Sequence, residues 1–186
     1  MTVPPSYVLV PSPFGTLALL WQDAPEGPRV CRVLLPEDAK PTEMMLQALH
    51  TEARPGLCLA MANLGKRITS FLEGQDIVFP LDILALETCP EFQQRVLRAE
   101  HAIPRGWVST YGRIAAHLGA PGAARAVGNA LANNPFPILI PCHRAIRSDG
   151  TLGGFQGGLQ MKQALLTMEG VEVSPDGKVP VDLFFY

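Results

Sequence analysis

The sequence predicts an α+β protein in two parts, an antiparallel sheet with a helix against it and then a mostly helical region. Three observations carry this. Strand-length apolar runs fill the first 35 residues, separated by Pro and Gly turn chemistry. Apolar residues then recur at helical spacing from residue 57 and again from residue 91. Between residues 108 and 132 two such segments are joined by a short glycine-containing turn, the pattern of a helix-turn-helix.

In order, Tyr7 to Val10, Thr16 to Trp21 and Val30 to Leu35 read as strands, with turns at Pro11, Pro13 and Gly15 and at Pro25 to Pro28. A short helix is expected over 42–49. A firmer one spans 57–72, with Leu57, Met61, Leu64, Ile68 and Phe71 inward and Gly74 as its stop. Ile77 to Ile83 reads as a further strand. The pattern changes over Leu84–Pro90, which sets the expected division: 1–88, 89–170 and a tail 171–186. Glu91 to His101 reads as a helix with Phe92, Val96 and Leu97 inward, broken by Ile103-Pro104-Arg105-Gly106. Ser109 or Thr110 can cap the next helix, whose inner face carries Ile114, Ala115 and Leu118. After Gly119-Ala-Pro-Gly122 comes the second helix of the pair, 123–132. Leu159 to Glu169 is a last helix with Leu159, Leu165, Leu166 and Met168 as packing residues, closed by Gly170. The tail ends Phe184-Phe185-Tyr186, too apolar to be left in water, and is expected to fold back.

Composition narrows the function classes. The chain is 47% hydrophobic and 17% charged, with a mean hydropathy of +0.16, which suits a packed core and not disorder. No apolar run approaches the roughly 20 residues of a membrane span, and the start lacks a signal-peptide pattern. A cytoplasmic protein is expected, nucleoid-associated in a prokaryote, with no membrane partner. Cys31, Cys58, Cys89 and Cys142 form no Cys-x-x-Cys pair, so neither a disulfide framework nor a metal site is expected, and the first three read as small buried residues. The net charge of −2 is unevenly spread. Residues 1–89 hold 6 Lys+Arg against 10 Asp+Glu, residues 90–170 hold 8 against 4, and the tail holds 1 against 3. The middle segment carries the basic balance that phosphate contact needs, by a small margin, so modest affinity and shallow salt dependence are expected.

The stretch Asn133 to Arg147 carries the chemistry. Ile138-Leu139-Ile140 is strand-like and must be buried, with Pro137 and Pro141 on either side. It delivers Cys142, His143 and Arg144 from a stiff segment. A thiol with a pKa of roughly 8.5 is a poor nucleophile until it ionises, and neighbouring His and Arg are residue types that favour ionisation. Cys-His-Arg alone fits two readings equally, an activated thiolate and a buried structural cysteine beside two cations. The second helix is nearly bare, with Ala123, Ala124, Ala126, Gly128 and Ala130. It offers little for reading base edges in a major groove, but can approach a narrow groove closely, with Arg125 projecting. A tightly packed core helix is the plainer reading. The glycine-rich loop 148–158 lacks the lysine of a phosphate cradle and suits close approach to a flat ligand.

Together, Pro137 to Arg144, the run A-A-R-A-V-G at 123–128 and Asn134 closely resemble the O6-alkylguanine-DNA alkyltransferases, also called methylated-DNA–protein-cysteine methyltransferases. The resemblance is dense over 89–170. Over 1–88 it is looser, resting on S-P-F-G-T-L at 12–17 and C-R-V-L-L at 31–35. It implies a ribonuclease H-like first domain and a winged helix-turn-helix second domain. It also implies direct-reversal repair: irreversible, single-turnover transfer of an alkyl group from O6-alkylguanine, and O4-alkylthymine, in double-stranded DNA to Cys142, with no cofactor and a monomeric protein.

The resemblance further assigns roles. The helix with Ala124, Ala126 and Gly128 would enter the minor groove, and Arg125 would fill the gap left by a flipped nucleotide. Tyr111 would push the 3′ phosphate and donate a hydrogen bond to the base. His143 would act as general base through a water, oriented by Glu169. Asn134 would hold the active-site turn. The carbonyls of Cys142 and Ala145 would accept from the guanine amine, and Phe155, Gln156 and Gly157 would line the pocket. Many relatives carry tyrosine at the Phe155 position, so ring stacking is kept and a hydroxyl contact is lost. Three other readings compete. A lesion-binding protein without transfer is disfavoured by Cys142. A cysteine hydrolase using Cys142, His143 and Glu169 is disfavoured by the adjacent Cys-His and the groove helix. A winged-helix regulator would need more base-reading side chains.

Overall fold

The structure is a computed structural model that describes residues 4–36, 42–180, 182 and 184–186. The chain divides into two compact units. The first comprises Met1–Thr88 with Pro135–Leu139, the second Cys89–Asn134 with Ile140–Tyr186.

The first unit is built on three antiparallel strands, β1 (Ser6–Ser12), β2 (Gly15–Ala24) and β3 (Gly27–Leu34). A short strand, β4 (Arg54–Pro55), adds to β1 in parallel, giving the order β3-β2-β1-β4. Sequence reading missed β4, which is too short and too polar to show periodicity. β2 is central, so Leu17, Ala18, Leu19, Leu20 and Trp21 are all buried without the alternation of a half-exposed strand. Helix α1 (Thr42–Leu49) packs Leu46 onto Ala18, Leu20 and Leu34. Helix α2 (Leu59–Leu72) covers the face of Val10, where a side chain at Gly65 would come within 3.1 Å of Val10. Each buried Leu here contributes roughly 1.5–3 kcal/mol. Two expectations fail. Ile77 to Ile83 is not a strand: Pro80 cannot donate to a ladder, and Leu81–Ile83 form a 3-10 turn. Leu57 is fully exposed because α2 begins only after Cys58, so the inner stripe starts at Met61.

The second unit is mostly helical. Helix α3 (Glu91–His101) buries Val96 and Leu97 as expected, and also Glu100. Helix α4 (Tyr111–His117) is capped by Thr110, whose side-chain oxygen accepts from the Arg113 N–H. Gly119 and Gly122, with φ of 72° and 92°, turn the chain into α5 (Ala124–Ala132). α5 turns Val127, Ala130 and Leu131 inward and leaves Arg125 and Ala126 exposed. Strand β5 (Ser109–Thr110) pairs in parallel with β6 (Ala145–Ile146). Helix α6 (Gly158–Met168) ends at Gly170, φ 88°. It buries Leu165 and Leu166, while Leu159 is exposed. The tail returns to this unit. Val171 and Val179 join Val108, Ile146, Leu152 and Leu166 in one apolar cluster, and the Tyr186 ring stacks on His117.

No helix among the described residues is long and apolar enough to cross a membrane. Of Cys31, Cys58 and Cys89, only Cys89 is buried; the other two are partly exposed.

Candidate active site

The segment that presents Cys142 is not a strand. Ile138 sits at φ 73°, a left-handed conformation that costs a β-branched residue on the order of 1–3 kcal/mol. Pro141 (φ −78°, ψ 59°) is the centre of an inverse γ-turn closed by the Cys142 N–H donating to Ile140 O at 2.8 Å. The Asn134 side chain donates to the same carbonyl at 3.3 Å. Cys142–Arg144 then form one 3-10 turn, with the Arg144 N–H donating to Pro141 O and the Ala145 N–H to Cys142 O. A proline and a buried asparagine therefore fix the direction of one sulfur.

Behind the turn lies a buried charge network. His143 Nε2 is 3.0 Å from Glu169 Oε1. Arg144 donates from Nε to Glu169 Oε2 at 2.8 Å and from NH2 to Oε1 at 2.7 Å, while NH1 donates to Ile103 O at 2.6 Å. Burial opposes ionisation of Glu169, but hydrogen bonds from His143 and Arg144 outweigh it and hold the carboxyl at about 2. Burial pushes the His143 pKa down, partly opposed by Glu169, so the imidazole is neutral. An ionised carboxylate only accepts, so Nε2 carries the ring proton and Nδ1 the lone pair.

The thiol matches neither of its two sequence readings fully, being buried and yet lining a cleft. Cys142 is buried and its pKa is pushed up to about 11, chiefly by desolvation and also by the charge of Glu100, against a hydrogen bond from Asn134 and the charge of Lys162. The adjacent cations do not lower it. Arg144 is turned away onto Glu169, and His143 is uncharged. The cation beside the sulfur is Lys162, from α6, which sequence reading did not single out. Glu100 was missed too. Each breaks an apolar helical stripe, Glu100 following Val96 and Leu97 and Lys162 preceding Leu165 and Leu166, and that interruption is the signal that could have found them.

Cys142 lines a cleft of about 290 Å³ with Tyr111, Gly128, Leu131, Ala132, Gly154, Phe155 and Gln156. That is near the lower end for small-molecule pockets. Tyr111 opens α4, and burial raises its pKa, so its hydroxyl stays a donor. Gly153 (φ 68°) passes so close that a side chain there would come within 2.8 Å of the Tyr111 hydroxyl. Gln156 Nε2 donates to Asn134 O at 2.8 Å and Ala132 O at 3.1 Å, pinning the loop, and Phe155 meets the edge of His143.

Of the residues singled out in the sequence, Cys142, Tyr111, Gly128, Phe155 and Gln156 meet at the cleft, with Asn134, His143 and Glu169 behind it. Gly157 precedes α6 and does not line the cleft. Ala145 is fully buried, and its carbonyl already accepts from Lys162 Nζ at 2.6 Å. Arg125, Ala124 and Ala126 lie outside the lining, on α5. No group of three His, Cys, Asp or Glu among the described residues could hold a metal ion.

The methylated-DNA–protein-cysteine methyltransferase of Mycobacterium bovis is 38% identical over 137 residues, 74% of this chain and 76% of that protein. The chain belongs to this methyltransferase family. A family model described as the DNA-binding domain of 6-O-methylguanine DNA methyltransferase matches residues 91–171. Within the family, the Methanothermobacter thermautotrophicus member is 47% identical over 115 residues, covering 62% of this chain. The match spans 64% of that relative, just under two thirds of its length. A crystal structure of Mycobacterium tuberculosis OGT in complex with DNA superposes with a TM-score of 0.66 at 35% identity, over 89% of this chain and 93% of that one. The matched family segment contains every residue of the cleft and of the charge network behind it.

Proposed function

We propose that this protein repairs DNA by direct reversal, taking the alkyl group of O6-alkylguanine, and of O4-alkylthymine, irreversibly onto Cys142. The observation that carries the reading is one thiol at a base-sized cleft, backed by a neutral histidine bonded to a buried carboxylate. The carbon–sulfur bond forms as the carbon–O6 bond breaks. The thiol proton leaves toward His143 Nδ1, through a water, and the departing guanine takes up one proton, so the net change moves the thiol's proton to the base. Because the resting thiol is neutral, ionisation accompanies substrate binding and does not precede it. Tyr111, kept protonated, donates to the leaving base. The thioether product has no displaceable group, so each molecule acts once.

The target carbon is inaccessible in a duplex, so the nucleotide is flipped at a cost of a few kcal/mol. α5 enters the minor groove with Ala124, Ala126 and Gly128 against the backbone, and Arg125 fills the gap. The exposure of Arg125 and Ala126 supports this, and the complex of the mycobacterial relative with DNA supports DNA as the partner. The protein acts as a monomer in the cytoplasm and needs no cofactor. Domain roles follow: 89–170 binds DNA and carries the reaction, 1–88 supports it, and 171–186 packs as a tail.

The test is to incubate the protein with a duplex carrying O6-methylguanine and weigh it intact. A gain of one methyl group on Cys142, absent in Cys142→Ala while DNA binding persists, is expected. Loss of the lesion with the thiol unmodified would overturn the proposal.

A further inference from the structure

Glu100 has no exposed surface, and neither carboxyl oxygen has a hydrogen-bond partner among the described residues. The backbone donor that faces it is the Ala145 N–H, which lowers its pKa a little but is aligned on Cys142 O, to which it donates. A carboxylate left in such a place is costly, and the neutral acid is not. Lys162 is equally buried, and its Nζ donates to Ala145 O at 2.6 Å and Gly154 O at 3.3 Å, on the chain segments flanking Cys142. α3 and α6 thus bring one buried acid and one buried base against the turn that holds the sulfur.

The two act on Cys142 with opposite sign. An ionised Glu100 raises the thiol pKa, and a charged Lys162 lowers it, the former being the larger effect. The other groups facing Glu100 are Arg144, Tyr111 and Tyr186. Arg144 is neutralised by two bonds to Glu169, and both phenols are raised and uncharged. Lys162 is also faced by Arg147 and by His143, which is uncharged. Desolvation moves Glu100 up to about 8 and Lys162 down to about 8. The acid–base pair is therefore the part of this surrounding that changes charge near neutrality.

We infer that Glu100 is a positioning residue for the reaction at Cys142: holding its proton it leaves Lys162 as the charge felt by the sulfur, and losing it keeps the thiol neutral. This rests on Cys142 being the acceptor. The carboxyl proton goes to solvent as pH rises, and no bond to carbon is involved.

The test uses the full chain and reads the rate at which iodoacetamide alkylates Cys142, followed by peptide mass, in wild type and Glu100→Gln. At about pH 6.5, where Glu100 of the wild type holds its proton and position 100 is neutral in both proteins, the rates should agree within about twofold; at about pH 9.5 the variant should react about fivefold faster. A ratio that does not change with pH overturns the inference. If the variant does not fold, infrared spectra of wild type labelled with carbon-13 glutamate decide. A protonated carboxyl band at neutral pH that vanishes at alkaline pH supports it, and no such band overturns it. Methyl gain on Cys142 with a flat ratio would remove this inference alone, whereas absent methyl gain would remove the repair reading.

Discussion

Arg144 grips Glu169 with two parallel hydrogen bonds, Nε to Oε2 at 2.8 Å and NH2 to Oε1 at 2.7 Å, 25 residues apart in sequence. This fork fixes the carboxylate that in turn fixes His143. The tripeptide Cys142-His143-Arg144 therefore works through different partners: the sulfur faces the cleft, and the other two side chains meet on one carboxylate.

Glu169→Gln breaks the fork and leaves the Arg144 charge buried without its counter-ion. Removing one member of a buried pair costs about 3–5 kcal/mol. The expected result is a loss of stability of that size in urea unfolding. Transfer to Cys142 should also slow, because the amide has one acceptor oxygen for both Arg144 and His143, and an amide N–H turned to Nε2 would place the ring proton on Nδ1. Unchanged stability and rate would show that the fork is dispensable.

The same carboxylate sets a dependence on acid. Its folded pKa is depressed from 4.5 to about 2 by its His143 and Arg144 partners. A depressed acid stabilises the fold above the unfolded pKa and loses that contribution as pH falls through the folded one. The window runs from pH 4.5 down to about 2, and the amount is on the order of 3 kcal/mol. Urea midpoints should fall across this window in wild type and fall less in Glu169→Gln. Parallel curves would place the acid sensitivity elsewhere.

Much of the fold could be read from the chain because its elements declare themselves locally. The strand runs before residue 35, the inner residues Val96 and Leu97 of α3, Ile114 and Ala115 of α4 and Leu165 and Leu166 of α6, and the Thr110 cap sit where pattern and turn chemistry put them, while Leu159 does not. Failures occurred where local preference met a constraint from elsewhere. Ile138 to Ile140 looks like strand, yet Ile138 takes a left-handed conformation and Pro141 centres a γ-turn. Ile77 to Ile83 has strand composition, but Pro80 and a 3-10 turn interrupt it. In the site, Cys142 and His143 were legible from their motif, and Glu169 only through resemblance, since nothing local links it to His143. Of the two readings of Cys-His-Arg, activation of the thiol by its sequence neighbours fails for a general reason. Neighbours in sequence need not be neighbours in space: Arg144 points to Glu169, and the charges that reach the sulfur come from α3 and α6.

Arg125 separates duplex opening from chemistry. It is exposed on α5 and does not line the cleft, so its removal should leave the sulfur and its surroundings intact. If it occupies the gap left by a flipped nucleotide, its loss raises the cost of extrusion, a step worth a few kcal/mol, and leaves attack on an already free base untouched. Arg125→Ala should therefore slow repair of O6-methylguanine in duplex DNA by about tenfold or more, the equivalent of roughly 1.4 kcal/mol, while transfer from free O6-benzylguanine stays within about twofold. Single-turnover rates on both substrates make the comparison within one protein preparation. Equal losses on duplex and free base would mean that Arg125 supports the fold of the cleft and plays no part in flipping.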